Sequence, residues 1–175
     1  MDNAVIYDFE TLSQNAVDAA VVSCAILSFD MDLLKVNGYS YSDLLDKTEF
    51  IKLDVQDQVK NWNRKIDPAT IEWWGKQSKE AVDKIKPSKD DVPLTEFIDW
   101  FVDKSIDTKQ AKYYFTRNNT FDPVILQTIC SSMKEPMPYI WWKVRDTKSF
   151  IMGLAYELNI RDDFIPPDCE GKYLS

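Results

Sequence analysis

The chain predicts a mixed α/β domain, α/β or α+β in layering, on three observations. Two apolar runs rich in β-branched residues stand at the front, Ala4-Val5-Ile6 leading into Tyr7-Asp8-Phe9-Glu10 and then Ala19 to Phe29, and they read as neighbouring strands. Behind them, helical spacing dominates, most clearly at Leu94, Phe97, Ile98 and Phe101. The 175 residues, 45% hydrophobic and 13% aromatic, suffice for one domain over 1–175 with a sizeable core.

The elements follow in order. Asn3 to Phe9 is the first strand, and the polar loop Thr11 to Ala16 leads to Ala19–Phe29, a central strand beside it. Tyr39 to Ile51 alternates poorly and is read as a third strand or edge segment; Lys52 to Asn63 is a strand end followed by a helix. Asp67-Pro68 supplies an N-cap and a first-turn proline for a helix through Ile71, Trp74 and Gln77. Ser78 starts another short helix that ends before Pro87, and Lys84 to Asp91 is expected to be solvated surface. A helix over Leu94 to Val102, a strand over Ala111 to Phe115 and a helix over Pro123 to Met133 come next. Trp141-Trp142, after Pro136 and Pro138, is expected to pack a connection against the core. Thr147 to Leu158 is a helix with Phe150, Ile151, Leu154 and Leu158 on one side and Asp146 as its cap; from Asn159 the chain reads as loop.

Composition removes whole classes of chemistry. Histidine is absent, which excludes Ser-His-Asp and Cys-His nucleophiles and His-based zinc sites, so catalysis falls to carboxylates, Lys, Tyr or metal-bound water. A formal charge of -8 argues against gripping nucleic acid through a broad basic face, although cations held by acidic residues can meet a phosphate instead. Cys24, Cys130 and Cys169 are odd in number and widely spaced, as reduced structural thiols are. No basic segment precedes a long apolar run at the start, and no stretch approaches the roughly 18 apolar residues of a membrane helix. A soluble, cytoplasmic protein without a membrane partner is expected.

The most informative residues are Asp8 and Glu10. Side chains alternate along a strand, so the two carboxylates share a face while Phe9 enters the core. Adjacent carboxylates repel unless a cation sits between them, and oxygen-only ligands suit Mg²⁺ or Mn²⁺, whose commonest work is phosphoryl chemistry. Asp122 falls where the strand Lys112 to Phe115 gives way to a helix opened by Pro123, so it can join the same cleft above the sheet edge. An aspartate before proline is also expected as a helix cap. Of Trp73 and Trp74, about 100° apart on a helix, at least one should face the core while the other is available to stack on a base. Arg117 has the geometry to bind a phosphate; Arg145 is expected to pair with a nearby acid.

These residues resemble a known family. Asp8-x-Glu10 closing a first strand, with Phe121-Asp122 opening a helix after a middle strand, is similar to the first two motifs of the DEDD superfamily of 3′-to-5′ exonucleases, whose fold is ribonuclease H-like, a mixed sheet flanked by helices. Within Ile66 to Ala81, Thr70-Ile71-Glu72-Trp73-Trp74, Gln77-Ser78 and Glu80-Ala81 closely resemble the T-I-E-W-W-x-x-Q-S-x-E-A stretch of the ribonuclease T-like, DEDDh-type branch, which includes T-even phage exonuclease A and exodeoxyribonuclease VIII-like proteins. Arg145-Asp146-Thr147 is similar to the stretch opening the next family helix.

The resemblance implies metal-dependent 3′-5′ exonuclease chemistry with two Mg²⁺ or Mn²⁺ ions. Asp8 would bridge both, Glu10 would complete the first site and Asp122 would serve the second, so these three are at once the catalytic and the metal candidates. Substrate-binding candidates are Thr11, Leu12, Trp74, Arg117 and Phe121. The partners implied are single-stranded DNA or RNA 3′ ends, a homodimer is an open option, and the compartment is the host cytoplasm if the chain is phage-encoded. A third family motif, with a histidine base and a fourth aspartate, should begin near Glu170 to Ser175 and is missing; this form is therefore expected to be weak or inactive alone. The rival expectation is a catalytically dead, nuclease-like module that binds nucleic acid or protein.

Overall fold

The computed structural model describes residues 3–36, 38–105 and 111–160. Its sheet comprises β1 (Asn3–Thr11), β2 (Val21–Asp30), β3 (Glu49–Lys52), β4 (Tyr113–Thr116) and β5 (Val144–Asp146), in the order β3-β2-β1-β4-β5. β2 runs antiparallel to both β1 and β3, whereas β4 is parallel to β1 and β5 to β4. The fold class is as expected, and the long first strand is its middle member.

Helices α1 (Met31–Lys35), α2 (Tyr41–Asp46), α3 (Val55–Asn61), α4 (Pro68–Trp74), α5 (Lys79–Ile85), α6 (Leu94–Lys104), α7 (Asp122–Met133) and α8 (Thr147–Leu158) complete the described elements. Val21 and Val22, adjacent on β2, belong to two different apolar clusters, so the two clusters lie on opposite faces of the sheet. The larger gathers Val5, Tyr7 and Phe9 against Phe97 and Phe101 of α6 and Ile125 and Ile129 of α7. Tyr7 meets Phe101 edge to face at 5.2 Å, and its hydroxyl hydrogen-bonds that of Tyr139. The smaller joins Leu12, Ala20 and Val22 to Val55, Trp74 and Ala81.

Local chemistry sets many boundaries. Asp67 accepts from the amides of Ala69 and Thr70 and Pro68 occupies the first turn, so α4 starts where expected. It ends at Trp74 with Gly75 as its cap, short of Gln77. Ser78 and Asp146 cap α5 and α8.

Some expectations are corrected and others extended. The poorly alternating Tyr39–Ile51 stretch is mostly not strand: Ser40 and Asp43 form a reciprocal capping box that starts α2, and only its end enters β3. Met31–Lys35, past the second strand, is helical, capped by Asp30. Trp141 and Trp142 do not pack against the core; they stand on a one-turn 3₁₀ segment, Trp141–Lys143, that delivers the short edge strand β5. On α8 the stripe Phe150, Ile151, Leu154 and Leu158 is exposed, and Ala155 is the buried residue. Cys24 and Cys130 are free and buried; Cys169 and most of the loop expected from Asn159 on lie outside the described residues.

Candidate active site

β1 continues through Glu10, which keeps Asp8 and Glu10 on the face opposite Tyr7 and Phe9. The pairing of β1 with β2 slips between Glu10 and Thr11, and the irregularity ends the ladder just past the second acid. Asp122 is the first residue of α7 and is only 3% exposed. Its Oδ1 accepts from the backbone N–H of Phe9 at 3.1 Å, so the third carboxyl is tied to β1 between the other two acids. The N-cap position belongs to Phe121, with no side-chain bond there, so the expected capping role of Asp122 gives way to this long-range contact.

The three carboxyls sense one another. Burial and then the charge of Asp8 push Glu10 up to about 7, opposed by Lys84. Burial and Asp8 push Asp122 up to about 7 as well, with Glu10 adding to the rise and the Phe9 amide opposing it. Asp8, at the mouth of the cleft, is raised by partial loss of hydration, while the guanidinium of Arg117 draws it down. Proton affinity this high in neighbouring acids is what a bound cation relieves.

Asp8 and Glu10 line a cavity of about 140 Å³ with Ser23, Trp74, Ala81 and Lys84. A second cavity, of about 180 Å³, lies against the other side of Glu10 and is walled by Thr11, Ser13, Trp73, Trp74 and Phe121. Thr11, Trp74 and Phe121 of the substrate-binding candidates therefore meet at Glu10. Leu12 is buried in the smaller apolar cluster, and Arg117 is exposed on the turn after β4. Trp74 is 3% exposed and donates its indole N–H to the Thr11 carbonyl at 3.0 Å, whereas Trp73 is 51% exposed. Trp74 thus fixes the loop after β1, and Trp73 is the ring with an open face.

Among the described residues no three acid or thiol side chains close around a point where an ion could sit as they stand. Asp8 and Glu10 lie about 6.6 Å apart along the strand, the repeat of two residues. The donor set still suits a divalent cation: oxygen only, crowded and partly desolvated. Lys84 is the site residue that sequence reasoning placed elsewhere, and of the two tryptophans it is Trp73 that stays open. Lys84, read as solvated surface, follows Ala81 by three residues on α5 and so shares its cavity-facing side. Arg145, expected to pair with an acid, instead lies over the Tyr113 ring at 4.5 Å and donates to the carbonyls of Trp142 and Val144.

The fold is that of the ribonuclease H-like exonucleases. Exonuclease I of E. coli, in complex with a dT13 oligonucleotide, superposes with a TM-score of 0.59 at 16% identity, over 95% of this chain and 32% of that one. Exonuclease I from Methylocaldum szegediense gives 0.57 at 13%, over 98% and 32%. The exodeoxyribonuclease of Enterobacteria phage T4 is 32% identical over 141 residues, 81% of this chain and 55% of the relative, so the chain spans about half that protein's length. Residues 3–169 match the model of one family, and the chain belongs to it: the Rv2179c-like 3′-5′ exoribonuclease domain family. DEDD-type exonucleases use divalent metal ions. No helix among the described residues is long and apolar enough to cross a membrane.

Proposed function

We propose that this chain is a metal-dependent 3′-5′ exonuclease domain that removes nucleotides from single-stranded DNA ends. The observation that carries the reading is the hydrogen bond from the Phe9 amide to Asp122, which brings a residue 113 positions away to the strand segment flanked by Asp8 and Glu10. Asp8 and Glu10 would hold one divalent cation and Asp8 with Asp122 a second, Mg²⁺ or Mn²⁺. Such ions, when bound, supply an activated water and offset the charge that builds on phosphate oxygens. Arg117 meets a substrate phosphate at the cleft mouth, and Trp73 offers a face to the terminal base. Trp74, held to the Thr11 carbonyl, keeps the loop beside Glu10 in place.

DNA is favoured because the phage T4 relative is an exodeoxyribonuclease, although the family carries an exoribonuclease description. The buried thiols Cys24 and Cys130 fit a reducing, cytoplasmic compartment. The test is Asp8→Asn, assayed by calorimetric titration with Mn²⁺ and by hydrolysis of 5′-labelled dT13 and its RNA counterpart. Loss of both Mn²⁺ binding and hydrolysis is expected; unchanged Mn²⁺ binding overturns the site, and faster hydrolysis of the RNA overturns the choice of sugar.

A further inference from the structure

Trp141 and Trp142 are 79% and 57% exposed on the short segment between α7 and β5. Their rings meet edge to face, 5.6 Å between centroids and 86° between planes, so each leaves a flat face free. They line a groove of about 450 Å³ whose other walls include Asn119, Val124, Gln127 and Arg145. Arg145 is the single charge in that lining, and no carboxylate pairs with it among the described residues. Its neighbour Asp146 is engaged elsewhere, accepting from the Lys148 amide and the Ser149 hydroxyl at the start of α8. In a chain of charge -8, the groove combines open aromatic faces, two amides and one cation, with no acid.

The groove adjoins the cleft along the chain. Arg117, whose charge reaches Asp8, and Asn119, which walls the groove, belong to the same turn after β4, and Pro123 follows Asp122 directly into the groove wall. β5 lies two strand spacings from β1, about 10 Å.

We propose that this groove is a second nucleobase-stacking subsite, holding unpaired nucleotides of the strand whose 3′ end lies at Asp8, Glu10 and Asp122; its place along the strand rests on the exonuclease reading, its affinity does not. Indole faces stack on any base, the guanidinium of Arg145 meets the intervening phosphate, and Asn119 and Gln127 reach base edges with both donors and acceptors. A protein partner is less favoured, because two amides and a lone cation stand among the apolar walls Pro123, Val124 and Val144 and would lose their hydration against an apolar partner surface.

The test uses the full chain in EDTA, where hydrolysis cannot interfere, and reads anisotropy of fluorescein-labelled dT13 and of a short oligonucleotide of about four residues, near the smallest single-strand site sizes. W141A/W142A should weaken dT13 binding roughly tenfold or more and the short oligonucleotide less than about twofold, since each stacked base contributes on that scale. W141F/W142F, which keeps flat rings, should stay within about threefold of the wild type, and R145Q should lower the salt dependence of dT13 binding. Unchanged dT13 affinity in W141A/W142A, or equal affinity of the wild type for both lengths, overturns the subsite. A dimer that becomes monomeric on the double substitution with dT13 affinity unchanged also overturns it and assigns the face to a second copy. If the wild type binds dT13 through these residues yet hydrolyses nothing in Mn²⁺, the exonuclease reading fails while the subsite stands.

Discussion

Across the sheet from one another lie two different populations of side chains. On one face Tyr7, Phe9, Phe97, Phe101, Ile125 and Ile129 are buried in a continuous aromatic and aliphatic core. On the other, Leu12, Val22, Trp74 and Ala81 form a small cluster beside Asp8 and Glu10, and the groups next to them open into cavities. The difference teaches how carboxyls of raised proton affinity are tolerated together. The thick core fixes β1 and α7 from behind, so repulsion in front is absorbed without the strand moving.

Substitutions on the cleft side should break chemistry and spare the fold. Glu10→Gln and Asp122→Asn are each expected to lower kcat/KM on dT13 by about a thousandfold or more, the loss of several kcal/mol of charge stabilisation, with little change in melting temperature. Equal loss of stability and activity would erase the division between the faces. On the core side, Phe101→Ala should cost about 3–5 kcal/mol in denaturant unfolding, against about 2 kcal/mol for Leu12→Ala in the thinner cluster. Comparable values for the two would mean that both faces carry the fold equally.

A pH scan sharpens the comparison further. The folded-state proton affinities of Glu10 and Asp122 are raised to about 7, above ordinary values of 4.5 and 3.8. Their stabilising contribution is therefore fully present below about pH 4 and lost as the pH rises to 7 and beyond, where both must ionise side by side. Metal-free protein should melt at falling temperature across that window, Mn²⁺ should flatten the decline, and Glu10→Gln should remove part of it. The smallest effect is expected on α8, where Phe150 is 67% exposed. Phe150→Ser should change stability by less than about 0.5 kcal/mol, and a larger loss would show that something covers this helix.

Local signals are legible in the sequence, and long-range ones only in part. Asp67-Pro68, Ser78 and Asp146 begin helices because caps and first-turn residues act within a few positions. The Ser40–Asp43 box is of the same kind, but it stands in a stretch whose weak alternation of apolar residues mimics an edge strand. β5 has three residues and no periodicity to display; only its parallel pairing with β4 makes it a strand. Exposure of Trp141 and Trp142 contradicts the rule that large apolar rings go inside, as does the open stripe of α8. In the cleft, period two put Asp8 and Glu10 on one face, but the reach of Asp122 to Phe9 depends on tertiary packing that no spacing encodes.

That reach has a bearing on how members of the family are sorted. A chain stripped of activity would still gain from an oxygen acceptor at position 122 to fasten the first turn of α7 onto β1, so the mere presence of Asp122 says little about whether a homologue works. Asp8, whose carboxylate makes no hydrogen bond among the described residues, has no comparable architectural duty, and its identity is the sharper diagnostic of a living enzyme.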